Sequence, residues 1–447
     1  MTNEKYGLIG KTLVHSYSKE IHEALGRYQY QLFSLAEDEM PDFINARDFR
    51  GLNVTIPYKK DVIPLCDEVT DLARGIGAVN TLFWKNASGT GASESISQED
   101  KILVGHNTDY EGFLYAASRA GIEFEGKGVL ILGTGGTSLM ARRAAADQNA
   151  AKIYIASRHP ETDPPSGSEI QDAGILSTVS YDQLPEIAAS IDVIVNTTPV
   201  GTFPNNMQQV IRLKDFPGCQ AVIDVIYNPF KTALLLEAEK LGLKYTNGLP
   251  MLVAQATAAA GYFLGTPGAF QKENQRIIKS MQQQMGNIVL IGMPGTGKSI
   301  IGKLLSELTG KTLQDTDAKI EEEAEMTIPE IFEKEGEAGF RDRESAICKK
   351  LGKERNLIIA TGGGAILRPE NVDALRQNGT LVHITRSIDK LPTRGRPLSK
   401  NIEALKKMEA QRMPLYKSAA DITFRNNYTC SRKKLRERVN TYILEKL

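Results

Sequence analysis

Asn287-Ile-Val-Leu-Ile-Gly-Met-Pro-Gly-Thr-Gly-Lys-Ser299 is the stretch on which the reading of this chain turns. Ile288 to Ile291 is a short apolar run, the pattern of a strand buried in a parallel sheet. It leads into Gly292-Met-Pro-Gly295-Thr296-Gly297-Lys298-Ser299, which fits G-x-x-x-x-G-K-[ST]. Beyond it, Ile300, Ile301, Leu304, Leu305 and Leu308 recur at helical spacing. Strand, glycine loop and helix are the parts of a phosphate cradle. Glycines let backbone N–H groups wrap phosphate oxygens, and the helix N-terminus adds partial positive charge. Lys298 is placed to reach the outer phosphates of a nucleoside triphosphate, and Ser299 to hold Mg²⁺. Gly292, Gly295, Thr296 and Gly297 complete the expected set.

More than half of the chain lies upstream of this loop. At 447 residues the whole is too long for one ordinary core. Lys+Arg and Asp+Glu both total 54, and a balanced chain argues against a nucleic-acid partner, which selects a basic excess. Cys66, Cys219, Cys348 and Cys430 are far apart with no C-x-x-C, the usage of free thiols in a reducing compartment. No basic, apolar leader follows Met1, and no apolar run reaches the ~20 residues of a membrane span. A cytoplasmic enzyme is the expectation, with no membrane partner.

Working back from the loop, residues 269–286 are polar and Gln-rich, with helical propensity but no wide apolar face, and read as a linker. Before them, apolar strands alternate with helical stretches: Gly128 to Leu132, Lys152 to Ala156, Asp192 to Asn196, Ala221 to Val225 and Lys244 to Thr246. That alternation predicts an α/β fold with a doubly wound parallel sheet over 107–244. Its first turn, Gly133-Thr-Gly135-Gly136-Thr-Ser138, is a degraded dinucleotide fingerprint, with Ser at the last position. Past the next strand stand Ser157 and Arg158, where an Arg suits the 2′-phosphate of NADP and equally reads as a solvated surface residue. Residues 1–106, completed by 245–268, read as a separate substrate domain. There Ala78 to Trp84 and Lys101 to Gly105 look like hairpin partners flanking a surface loop, 86–100.

Several ordered stretches of this upstream part resemble shikimate dehydrogenase over about residues 5–265. They are Gly7-Leu-Ile-Gly10, His15-Ser16-x-Ser18, Asn53-Val-Thr55-Ile-Pro-x-Lys59, Gly77-Ala-Val-Asn80-Thr, Asn107-Thr-Asp109-x-x-Gly112, Asn196-Thr-Thr-Pro-x-Gly201, Asp224-x-x-Tyr227-Asn-Pro and Asn247-Gly-Leu-x-Met-Leu-x-x-Gln255. The resemblance implies NADPH-dependent reduction of 3-dehydroshikimate. It implies Lys59 and Asp109 as the catalytic pair, and Ser16, Ser18, Thr55, Asn80, Tyr227 and Gln255 as holders of the substrate's carboxylate and hydroxyls. Taken singly these residues have plainer readings: Lys59 a strand-end lysine, Ser18 and Asp109 helix caps, Tyr227 and Gln255 half-buried structural residues. The family's NADP segment carries a second basic residue soon after its Arg. Ser157-Arg158-His159 departs from that, with Thr162 near the expected place.

Downstream of the glycine loop, Asp315-Thr-Asp317 closes a strand expected over Lys311 to Gln314, with two carboxylates at i and i+2 on an extended segment. Phe340-Arg341-x-x-Glu344 opens a helix, its Arg and Glu spaced as a surface pair. Thr361-Gly362-Gly363-Gly364 follows an apolar strand, and Arg394-Gly-Arg396 and Arg412-Met-Pro-Leu-Tyr416 come later. This set resembles shikimate kinase, with a P-loop, nucleoside-monophosphate-kinase-like fold, over about residues 287–445 of a last domain, 287–447. The resemblance implies ATP as phosphoryl donor, Arg341 and Arg412 on the shikimate carboxylate, Asp317 on the acceptor hydroxyl, and Gly363 offering a backbone N–H. It also implies Asp315 with Ser299 at Mg²⁺, and Arg396, on the lid, at the transferring phosphoryl group. Together the two resemblances imply a bifunctional shikimate-pathway enzyme of aromatic amino-acid biosynthesis, making shikimate and then phosphorylating it. Two rivals stand beside it: a first half that only senses ligand, or one that uses NAD and quinate.

Overall fold

A computed structural model of the chain describes residues 5–13, 16–86, 101–162, 174–391, 402–427 and 431–447. His15, most of the expected 86–100 loop, Arg394, Arg396 and Cys430 lie outside them. The chain divides into two compact units: 1–201 with 209–230 and 234–279, and 202–208 with 231–233 and 280–447.

The first unit holds two sheets. Strands β1 (Tyr6–Gly10), β2 (Tyr30–Ser34), β3 (Gly51–Val54), β4 (Glu68–Val69), β5 (Thr81–Asn86) and β6 (Lys101–His106) form a mixed sheet of order β2-β1-β3-β5-β6-β4. The expected hairpin partners do pair, β5 antiparallel to β6 with Thr81 opposite His106. Edge strand β2 carries no clean alternation in its sequence, Tyr-Gln-Leu-Phe-Ser, and was not legible there.

The second sheet is parallel and contains β7 (Gly128–Leu132), β8 (Lys152–Ser157), β9 (Leu176–Ser180), β10 (Val193–Asn196), β11 (Ala221–Asp224) and β12 (Lys244–Thr246). Its order, β12-β11-β10-β7-β8-β9, is the doubly wound 3-2-1-4-5-6 arrangement read from the other edge. Every residue of β7, β10 and β11 is buried, which is why these strands read as unbroken apolar runs. Helix Asp109–Arg119 lies against helix Leu249–Phe263. Gly112 is the point of closest approach: a Cβ there would stand 2.6 Å from the Met251 carbonyl oxygen.

The stretch read as a linker of helical propensity is mostly helix, Asn274–Met285. Ile277, Ile278, Met281 and Met285 fall on one stripe and are buried, so an apolar face is present after all. Gln282, Gln283 and Gln284 masked it in composition.

In the second unit β13 (Asn287–Ile291), β14 (Thr312–Asp315), β15 (Leu357–Ala360), β16 (Gly379–Thr385) and β17 (Ile422–Arg425) form a parallel sheet of order β14-β15-β13-β16-β17. Central β13 is buried along its whole length. It delivers the glycine loop to the carboxyl edge of the sheet, where open α/β sheets bind their ligands.

Candidate active sites

At the carboxyl end of β3 the chain turns through Thr55 to Lys59. The Thr55 N–H donates to the Ile9 carbonyl at 2.9 Å, and the Lys59 carbonyl accepts from Val79 N at 2.8 Å, which ties this turn to the segment before β5. Lys59 Nζ then donates to Asp109 Oδ2 at 2.6 Å. Asp109 is 6% exposed and is the first residue of its helix, with Thr108 at the cap position. Asp109 is therefore not the cap, and its carboxylate is turned to the lysine.

Asn80 and Gln255 meet beside this pair, the Asn80 Nδ2 donating to Gln255 Oε1 at 3.2 Å. Ser16 Oγ donates to Ser18 Oγ at 3.1 Å and accepts from Ser18 N at 3.2 Å. The reading of Ser18 as a cap is thus corrected: Ser18 is the first helical residue after Tyr17, and Ser16 supplies the local hydrogen bond. Tyr17, between the two serines, packs edge-on against Tyr227, ring centroids 6.0 Å apart. Thr55 packs its methyl over Gly10, where a Cβ would come within 2.6 Å.

The nucleotide side of this unit starts at Gly133, Gly135 and Gly136. A Cβ built on Gly135 or Gly136 would meet nothing within 4 Å, so the turn leaves open space where a dinucleotide's pyrophosphate has to approach. Ser138, the irregular last position of the fingerprint, is fully buried, and its hydroxyl accepts from Arg142 Nε at 3.2 Å. A serine fits there because its polar atom is paired. Ser157 ends β8 and accepts from His159 N at 2.9 Å, leaving Arg158 exposed beside the turn. This donor set fits a phosphorylated dinucleotide: open glycines, a helix N-terminus and a guanidinium.

In the second unit Gly297 takes φ +96°, a left-handed conformation that glycine adopts without a Cβ clash. Lys298 Nζ donates to the Gly292 and Met293 carbonyls at 2.8 and 3.1 Å, across the mouth of the loop. Thr296 is buried, its hydroxyl donating to Met293 O at 3.0 Å. Ser299 Oγ donates to Asp315 Oδ2 at 3.0 Å. A hydroxyl and a carboxylate are hard oxygen donors, and Mg²⁺ completes its shell with water and phosphate, so Ser299 and Asp315 fit that ion. Asn426, just past β17, was not anticipated. Its Nδ2 donates to the Thr296 carbonyl at 2.8 Å and steadies the loop from a distant strand.

The carboxylates Asp315 and Asp317 do converge, though not on an extended segment. Asp315 ends β14 as the cap of helix Thr316–Ala324, accepting from Asp317 N at 3.1 Å, and Asp317 sits in the first turn. An Asp before a helical run is a preferred cap, so the strand gives way to helix at Thr316, inside the segment that the i, i+2 reading took as extended. Burial first, then the Asp315 and Glu344 charges, push the Asp317 carboxyl up to about 6.

The Arg341–Glu344 pair, whose spacing would equally suit a surface pair, is buried. Arg341 Nη1 donates to Glu344 Oε2 at 2.7 Å, with the Glu344 side chain fully covered. Burial raises the Glu344 carboxyl against the opposing pull of Arg341. The triple glycine explains how so much charge fits. A Cβ on Gly362 would lie 2.7 Å from both Asp317 Oδ1 and Glu344 Oε1, and one on Gly364 would overlap the Arg341 guanidinium. Both carboxylate oxygens are buried without a hydrogen-bond partner. Arg412 Nη1 and Tyr416 OH both donate to the Gly363 carbonyl, at 2.8 and 2.6 Å. Glu344 and Tyr416 were in view in the sequence, but nothing there signalled their burial at this site. Among the described residues no group of three or more His, Cys, Asp or Glu could hold a metal, and no helix is long and apolar enough to cross a membrane.

These two arrangements define a class: a Rossmann-type oxidoreductase unit joined to a P-loop phosphotransferase unit in one polypeptide. Comparison with known proteins narrows it. The model of the shikimate dehydrogenase substrate-binding domain matches residues 8–82, and that of shikimate kinase matches residues 294–447. A shikimate dehydrogenase (NADP⁺) of Caldicellulosiruptor bescii is 35% identical over 268 residues, covering 57% of this chain and 88% of that protein. A shikimate kinase of Nitrosomonas europaea is 47% identical over 145 residues, covering 31% of this chain and 69% of that protein. A crystal structure of a chorismate mutase/shikimate 5-dehydrogenase fusion protein from Clostridium acetobutylicum superposes with TM-score 0.54 at 32% identity, covering 63% of this chain and 98% of that one. The chain belongs to the shikimate dehydrogenase family in its first part and to the shikimate kinase family in its last, a bifunctional shikimate-pathway enzyme using NADP and ATP.

Proposed function

We propose that this chain reduces 3-dehydroshikimate to shikimate with NADPH and then phosphorylates shikimate to shikimate 3-phosphate with Mg-ATP. The observation that carries the first step is the contact of Lys59 Nζ with Asp109 Oδ2 at 2.6 Å beside Asn80 and Gln255. NADPH, held by Gly133, Gly135, Gly136, Ser157 and Arg158, supplies the hydride. As negative charge develops on the ketone oxygen, the Lys59 ammonium stabilises it and gives it a proton. Asp109 holds the ammonium in place. Ser16, Ser18, Thr55, Asn80, Tyr227 and Gln255 receive the carboxylate and hydroxyls, and polar groups left unpaired by a wrong substrate give discrimination.

In the second step Arg341 and Arg412 take the shikimate carboxylate as guanidinium forks. Asp317 accepts the proton of the attacking hydroxyl, and Gly363 offers its N–H to the substrate. Gly292, Gly295, Thr296, Gly297 and Lys298 cradle the phosphates, and Ser299 and Asp315 hold Mg²⁺, which neutralises charge between phosphates. Arg396 is given the transferring phosphoryl group on the family resemblance. Cys66, Cys219 and Cys348 as free thiols support a reducing, cytoplasmic setting.

The test is a coupled assay supplying only 3-dehydroshikimate, NADPH and Mg-ATP. Shikimate 3-phosphate is the expected product, and its absence with active control enzymes refutes the proposal. Lys59→Ala should abolish NADPH oxidation alone, and Lys298→Ala phosphoryl transfer alone.

A further inference from the structure

Hydrogen-bond polarity around Asn80 has only one consistent direction. The Thr108 backbone N–H lies 2.7 Å from the outer atom of the Asn80 amide, and a backbone N–H can only donate. That atom is therefore Oδ1, and the other amide atom, facing Gln255, is the NH₂. The same logic fixes Asn53. Its amide faces the Asn80 backbone carbonyl at 3.3 Å, which can only accept, so that atom is Nδ2, while its Oδ1 accepts from Tyr30 OH at 2.7 Å.

Thr81 stands between the two amides. It is fully buried, takes the Asn53 Nδ2 donor on its Oγ1 at 3.2 Å and donates to Asn80 Oδ1 at 2.9 Å; Thr108 Oγ1, 2.9 Å from it, donates to the same Oδ1 at 3.2 Å. From the Asn80 amide outward the direction has no choice. Asn80 Nδ2 donates to Gln255 Oε1, which leaves Gln255 to present its Nε2 donors to the site.

We propose that Thr81 is a positioning residue: the Thr108 N–H sets the polarity of the Asn80 amide, and the Thr81 hydroxyl, tied to Asn53, holds that amide and through it the Gln255 amide in place, so that this wall of the dehydrogenase site offers donors only. The wall then selects substrate groups that accept: a carboxylate, a ketone oxygen or a hydroxyl lone pair. This rests on the reading of Asn80 and Gln255 as substrate-binding residues.

The experiment uses the full chain and measures NADP-dependent shikimate oxidation. Thr81→Val keeps the shape and removes the hydroxyl, so that Asn53 Nδ2 keeps only the Asn80 carbonyl and Asn80 Oδ1 only Thr108. The KM for shikimate should rise about tenfold, with the KM for NADP unchanged and kcat falling less than KM rises. Thr81→Ser should restore the parent KM, which a role confined to core shape would not do. Gln255→Glu leaves the core untouched and serves if Thr81→Val fails to fold. It keeps the acceptor toward Asn80 but replaces the donors by a carboxylate, so the KM for shikimate should rise at least as far. A tolerated Gln255→Glu, or an unchanged KM in folded Thr81→Val when Asn80→Ala raises it, overturns the inference alone. If Asn80→Ala also leaves KM unchanged, the substrate-binding reading falls and the inference with it.

Discussion

Gly364→Ala tests whether the triple glycine of the kinase unit exists to make room for Arg341. Gly364 has φ −104° and ψ −8°, a conformation open to any residue, so the added methyl acts by volume alone. Its Cβ would lie 2.0 Å from Arg341 Nη1, 2.4 Å from Cζ and 2.5 Å from Nη2. To regain ordinary contact the guanidinium must retreat by more than about 1 Å. It is the far end of a long side chain, so it can move without shifting the backbone. The movement breaks its 2.7 Å bond to buried Glu344. A loss on the order of 1–3 kcal/mol in stability is expected. Catalysis should suffer more, because displacing a substrate-orienting group by about 1 Å costs on the order of 100-fold, roughly 2.7 kcal/mol in the barrier. The assay follows ADP release with shikimate varied at saturating Mg-ATP, with dehydrogenase rates from the same preparation as internal control. The expected result is a fall of about 100-fold in kcat/KM for shikimate, a KM for ATP within about twofold of the parent, and full dehydrogenase activity. Combined with Arg341→Ala, Gly364→Ala should add almost nothing further. A folded Gly364→Ala protein with kinase kcat/KM within about threefold of the parent would refute the reasoning.

Two other outcomes follow from the same unit. Asp317 has its carboxyl raised to about 6, so ionising it weakens the native state as pH climbs from its ordinary range through 6. Asp317→Asn should therefore stabilise the magnesium-free protein at pH 7, by on the order of 2 kcal/mol, and not at pH 4, while abolishing phosphoryl transfer. Urea unfolding at the two pH values checks this, and an equal gain at both would count against it. Asn426→Ala removes the donor to the Thr296 carbonyl and should raise the KM for ATP about five- to tenfold while leaving that for shikimate unchanged, as measured by initial rates.

What the sequence determined by itself is local in origin. Periodicity and turn chemistry act over about 20 residues, so β13, its glycine loop and its helix were legible, as was the strand–turn–helix at Gly133. The ordered motifs named both families before any contact was known. What tertiary structure decided is which of those residues touch. Lys59 and Asp109 lie 50 positions apart and meet only because β3 and β6 end at the same edge, where the next helix begins. The polar direction through Asn53, Thr81, Asn80 and Gln255 joins three segments, and no local pattern encodes it. Arg341 and Glu344 show the difference most directly. Their i, i+3 spacing was plain in the sequence, yet the same spacing serves a surface pair and a buried one. Only the close approach of Gly362 and Gly364 to their charged ends turns an ordinary helical pair into a buried one.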